Sequence, residues 1–150
     1  MTAQISERLI FEGHQVALLS NPLSDYFALG GRDPGFQSTS TALWRGYVGT
    51  WEVTDDRLYL VALQGLLKSG EEANLASVFP GFEYRVFAHW FSGRLRIPQG
   101  KRLAYVHMGY GSTYERDVFL TLEDGVVVAQ EVRHNGQAPD DAPRVTALAP

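Results

Sequence analysis

The chain has 150 residues, of which 45% are hydrophobic, with no cysteine and a formal net charge of −4. That is the size and composition of one globular domain with its own core. The lack of cysteine excludes disulfide staples, thiolate metal sites and cysteine nucleophiles. The acidic balance, with its densest basic stretch limited to Arg94, Arg96, Lys101 and Arg102, speaks against a nucleic-acid ligand.

Along the chain, short apolar segments alternate with turn chemistry. Residues 8–12 and 15–19 flank Gly13-His14 and read as a tight hairpin. Asn21-Pro22 breaks the pattern, and residues 26–29 read as a short strand. Residues 30–41 collect Gly30-Gly31, Asp33-Pro34-Gly35 and a Ser/Thr run, a loop whose length points either to function or to local mobility. Residues 43–53 and 58–67 form the strongest strand pair, around Thr54-Asp55-Asp56-Arg57. The second strand is apolar on both faces, with Leu58, Leu60 and Ala62 on one and Tyr59, Val61 and Leu63 on the other. Cover on both sides is therefore expected. Gly46 and Gly49 interrupt the first strand, as at a bulge, a bend or a close approach of another segment.

Residues 69–79 are the helix candidate. Ser69 and Glu72 have capping-box spacing, Leu75, Val78 and Phe79 share an apolar face, and Pro80-Gly81 ends it. Strands follow over 86–91, 94–97, 103–108, 114–122 and 126–133. Their turns fall at Ser92-Gly93, Pro98-Gln99-Gly100 and Glu123-Asp124-Gly125. The expected fold is mostly β, a β-rich α+β domain. Its sheet is an antiparallel meander that curls toward a twisted half-barrel, with one short helix around 70–79. Residues 1–134 are assigned to this single domain, and the aperiodic residues 135–150 to a mobile C-terminal tail. No apolar run is long enough for a membrane span, and residues 1–8 lack the basic start and apolar stretch of a signal peptide. A cytoplasmic location without membrane contact is expected.

Three stretches stand out as a set. They are Trp44-Arg45-Gly46-Tyr47-Val48-Gly49-Thr50-Trp51-Glu52-Val53, followed by Leu58-Tyr59-Leu60; Phe87-Ala88-His89-Trp90-Phe91-Ser92-Gly93-Arg94-Leu95-Arg96-Ile97-Pro98-Gln99-Gly100; and Tyr105-Val106-His107-Met108-Gly109-Tyr110-Gly111-Ser112-Thr113-Tyr114-Glu115. Together they resemble a group of small, uncharacterised bacterial proteins of about this length, over most of residues 40–128. The resemblance implies a bacterial origin and a self-contained domain. It carries over no catalytic residue.

The candidate binding residues are Arg45, Tyr47, Trp51, Trp90, Arg94, His107, Tyr110 and Tyr114. Trp, Tyr and Arg dominate protein–protein hot spots, and the glycines beside Tyr110 let backbone approach a ligand. Ordinary roles compete with this reading. Tryptophan is mostly a core residue, and a Gly-rich run mostly serves a turn. Trp44 and Trp51 fall on opposite strand faces, so both enter one core layer only if a bulge intervenes. There is no HExxH or HxH spacing and no G-x-S-x-G, and no metal or cofactor is expected. Clustered hydrolytic or acid–base chemistry would have to use His89, His107, Glu52 or Tyr110. The function expected is a non-catalytic protein-binding module, with another protein as partner, of the kind of an immunity or antitoxin-like inhibitor. The alternative is a small-molecule-binding β domain. A small enzyme using His89 and His107 comes third.

Overall fold

The computed structural model describes residues 2–138. Its strands are β1 (Glu7–Phe11), β2 (His14–Leu18), β3 (Tyr47–Thr54), β4 (Arg57–Gly65), β5 (Val86–Phe87), β6 (Gly93–Ala104), β7 (Thr113–Glu123) and β8 (Val126–His134). Two helices, α1 (Pro22–Ala28) and α2 (Leu75–Val78), complete the fold. Three hairpins close through two-residue turns with positive φ at both central positions: Glu12-Gly13, Asp55-Asp56 and Asp124-Gly125. Turns of this hand match the twist of the strands they join, and Asp and Gly tolerate that backbone best.

The sheet runs in the order β2-β1-β3-β4-β8-β7-β6, with β5 added beside β4. All pairs are antiparallel except β1 with β3, where Arg8 lies beside Thr50 and Ile10 beside Glu52 in parallel. The sheet curls until its end strands meet. The Leu19 N–H donates to the Arg96 carbonyl at 2.8 Å, and the Arg96 N–H donates to Ser20 Oγ at 3.0 Å. It does not close into a barrel. β4 and β8 pair only at Arg57 and Val126, after which β4 turns to β5 through Tyr59–Phe87 and Leu60–Val86.

Strand β4 shows how a bulge rewrites a face. Thr50 pairs with Ala62 and Trp51 with Leu60, which leaves Val61 as an extra residue. That residue turns Leu63 onto the side of Leu58 and Leu60, and all three are buried. What reads as two apolar faces is one core face with a shifted frame. On the outer side Tyr59 carries the Arg85 guanidinium 4.2 Å above its ring. The core itself joins Leu9, Leu18, Trp51, Leu95, Ile97, Leu120 and Leu122 from the sheet with Leu23 of α1 and Val78 of α2.

Three local expectations are corrected. Residues 26–28 belong to α1 and Leu29 caps its end, so this segment is not a strand. Pro22 starts this helix because proline at the first helical position lacks only an N–H that would have no partner there. The later helix is confined to α2. Its capping box is Asn74 with Ser77, each side chain receiving the other's backbone N–H, while Glu72 pairs back with Leu66 in a β-bridge. Finally, Pro98-Gln99-Gly100 is not a turn. β6 runs straight through it, Pro98 opposite Asp117, and takes up the irregularity as register shifts between Gln99, Arg102 and Ala104. Residues 135–138 lie against β7. Asn135 Nδ2 donates to the Tyr114 carbonyl and to Asp117 Oδ2, and the Ala138 N–H donates to Glu115 Oε2. The expected tail from residue 139 onward lies outside the described residues.

Candidate functional site

The parallel pairing of β1 with β3 carries Glu7 into the interior, where it is 0% exposed. A buried carboxylate needs donors or a counter-charge, and Glu7 has both. Oε2 accepts from Arg45 Nη2 at 2.7 Å and from the Gly49 N–H at 2.8 Å, and Oε1 accepts from Trp51 Nε1 at 3.1 Å. Gly49 makes this possible. A Cβ there would lie 2.7 Å from Glu7 Oε1 and 2.8 Å from Trp51 Nε1. Burial pushes the Glu7 carboxyl above the usual carboxylate range, against the pull of Arg45, the Gly49 N–H and Trp51.

Arg45 sits in the turn just before β3. Its Nη1 donates to the Ile5 carbonyl at 2.8 Å, and its guanidinium lies 5.5 Å from the centre of the Tyr47 ring. Its Nε is buried without a hydrogen-bond partner among the described residues. Arg45 forms part of two surface clefts. The first, about 390 Å³, is lined by Gln4, Asn21, Trp44, Arg45, Gly109 and Tyr110. The second, about 310 Å³, includes Ser24, Phe27, Phe36, Arg45 and Tyr47.

The first cleft is built by long-range contacts. Gln4 ties two loops together. Its N–H donates to the Gly109 carbonyl at 3.0 Å, and its Oε1 accepts the Trp44 N–H at 2.9 Å. Tyr110 donates its hydroxyl proton to Asn21 Oδ1 at 2.6 Å, and burial raises its phenol to about 12. From below, Arg96 holds the same loop. Its Nη1 and Nη2 donate to the Tyr110 and Ser112 carbonyls at 2.8 and 2.9 Å, while Nε is paired with Asp117 at 2.8 Å. At the lip stands Trp44, 62% exposed.

Comparison of the chain with protein-family models, with curated proteins and with solved structures gives no match. The reading of the site therefore stands on this chain's own residues.

Of the eight candidate binding residues, the structure gathers three around the guanidinium. Arg45 and Tyr110 line the first cleft, and Arg45 and Tyr47 the second. Trp51 is a fully buried core residue. Trp90 stacks on Phe79 and donates its indole N–H to the Pro22 carbonyl at 2.8 Å. Arg94 lies 4.0 Å over the Phe119 ring. Tyr114 pairs with Arg102 toward the far end of β7. His107 is exposed and meets Tyr105 edge-on at 4.4 Å. The pairing of the two tryptophans resolves plainly: Trp51 is interior and Trp44 exposed. His89 contacts Phe87 and Trp90, rings that His107 does not touch. Among the described residues no group of three or more His, Asp or Glu side chains is placed to hold a metal, and no helix is long and apolar enough to cross a membrane.

Gln4, Glu7 and Asn21 are the site residues that sequence reading missed. The available signal was Gly49, two positions before Trp51, whose close approach turns out to be the Glu7 carboxylate.

Proposed function

We propose that this protein is a non-catalytic binding module that acts by docking on another protein, in the manner of a bacterial immunity or antitoxin-like inhibitor. The observation that carries the reading is Trp44, an exposed indole at the lip of a cleft whose walls are Tyr110 and Arg45. Trp, Tyr and Arg are the residue types on which binding energy concentrates, and they do so around a pocket that a partner side chain fills. A rigid floor supports it. The Glu7–Arg45 pair neutralises its own charge, so the cleft offers mainly apolar walls, not an anion site. It suits an apolar side chain. Exposed Val106 and Met108, on the neighbouring loop, extend the apolar surface around it.

The test pairs wild type with Trp44→Ala. Trp44 is exposed, so the variant keeps the fold, which its melting curve checks. Each is tagged and purified from the native host. A stoichiometric partner held by wild type and released by Trp44→Ala supports the reading. Identical partners on both refute it. The volume of the cleft, about 390 Å³, also falls within the range of small-ligand pockets. On that second reading a metabolite panel raises the melting temperature of wild type, and Trp44→Ala abolishes the shift.

A further inference from the structure

Among the described residues strand β8 has one partnered edge and, beyond its start, one open edge. β7 covers the first from Arg116–His134 to Glu123–Val126. On the other side, among the described residues, β8 is bonded only at its start, where Val126 pairs with Arg57 of β4 and the Val127 N–H donates to the Asp56 carbonyl at 2.7 Å. Among the described residues no strand pairs with residues 127–134 on that side. The ladder also shows which groups face outward. The Asn135 N–H donates to the Glu115 carbonyl at 2.8 Å. Hydrogen-bonded and non-hydrogen-bonded pairs alternate along an antiparallel ladder. The pairs Asp117–Arg133 and Phe119–Glu131 therefore exchange bonds with each other, and Gln130, Val132 and His134 turn their N–H and C=O groups to the open edge. Val132 sits opposite the buried Val118 on the core side of the sheet, yet is 46% exposed. An edge of this kind is a template for strand addition.

We propose that a second copy of this chain fills that edge, β8 pairing antiparallel with β8 about a twofold axis through Val132. Charge selects both the occupant and the register. Centred on Val132, each Glu131 faces the Arg133 of the other copy, Gln130 faces His134, and Val132 meets itself. Moving the axis by one residue in either direction sets Glu131 against Glu131 or Arg133 against Arg133. Like charges directly opposite are destabilising, and opposite charges stabilise. The chosen register forms about six backbone hydrogen bonds between copies. It also extends the Val118–Val132 apolar row across the axis. Few residues take part, so the dimer is weak and depends on concentration.

The experiment is sedimentation equilibrium of the full chain from micromolar to millimolar concentration, with amide hydrogen exchange on the same samples. Wild type should dimerise reversibly, and the amides of Gln130, Val132 and His134 should gain protection as concentration rises. Glu131→Arg should weaken the dimer roughly tenfold or more. Glu131→Arg with Arg133→Glu should restore it by exchanging the charges. Near-ultraviolet circular dichroism confirms that each variant is folded, a needed control because Arg133 also lies 4.9 Å from the Phe119 ring. A wild type that stays monomeric at millimolar concentration overturns the proposal. So does a dimer indifferent to Glu131→Arg. Protection of those three amides that is equal at every concentration overturns it as well, since the cover then comes from within the same chain.

Discussion

Replacing Arg45 with methionine keeps much of the side chain's volume and removes the charge. It strips Glu7 of its counter-ion while the carboxyl stays fully buried, and it takes the Arg45 donor from the Ile5 carbonyl. Removing one partner of a buried ion pair costs about 3–5 kcal/mol, a large share of the roughly 5–15 kcal/mol that holds a domain folded. For a chain of this size each kcal/mol moves the melting temperature by roughly 2–4 °C, so a loss of roughly 6–20 °C is expected at pH 8. The loss must also depend on pH. The Glu7 carboxyl already sits above its usual range through burial, and without Arg45 it rises further. A carboxyl raised in the folded state contributes stability that is full below its unfolded value and is lost as pH climbs through its folded value. The gap between Arg45→Met and wild type should therefore narrow as pH falls toward the ordinary carboxylate range and widen above it. Urea unfolding at pH 5 and pH 8 reads this directly. The double variant Glu7→Gln/Arg45→Met buries no charge and should show no such pH dependence. A single variant that loses under about 1 kcal/mol, or the same amount at both pH values, would refute the reasoning.

Three further outcomes follow from the same geometry. Gly49→Ala places a methyl group 2.7 Å from Glu7 Oε1 and 2.8 Å from Trp51 Nε1; overpacking of this kind should cost about 1–3 kcal/mol, seen in thermal unfolding together with a change in Trp51 fluorescence. Arg96→Met frees the Tyr110 and Ser112 carbonyls from their donors, so the amides of residues 108–112 should exchange faster than in wild type while the core amides of β7 hold. Tyr110 has its phenol raised from 10.0 to about 12, so its contribution to stability is complete below the ordinary tyrosine value and disappears as pH rises from about 10 to about 12; an ultraviolet titration should show an ionisation step near 12 that Tyr110→Phe removes, while the Tyr47 phenol, which burial raises further, ionises later in both proteins.

Local chemistry made the hairpins legible. Asp55-Asp56 and Asp124-Gly125 sit between alternating apolar runs, and such pairs take the positive φ that a two-residue turn demands. Reading failed where one residue serves two opposed local rules. Pro22 reads as a breaker, yet proline suits the first turn of a helix. Pro98 reads as a turn, yet it lies within β6 opposite Asp117. The bulge at Val61 was invisible because it depends on how β3 pairs with β4, not on β4 alone. The site was less legible than the fold for the same reason. Arg45 and Tyr110 were named from residue type. Glu7 and Gln4, however, reach them only because β1 runs parallel to β3 and the chain before β1 meets Gly109. Asn21 reaches Tyr110 across 89 positions of sequence. No local pattern encodes pairings of that separation.

The proposed docking of a partner protein in the cleft beneath Trp44 turns on that indole. Once a partner has been purified with the wild-type protein, calorimetric titration of that partner against wild type and Trp44→Ala measures its contribution. A hot-spot tryptophan is worth about 2 kcal/mol or more, so the account predicts a loss of affinity of roughly 30-fold or greater, with the melting temperature unchanged. Equal affinity for the two proteins would contradict it and place the docking surface elsewhere on the sheet.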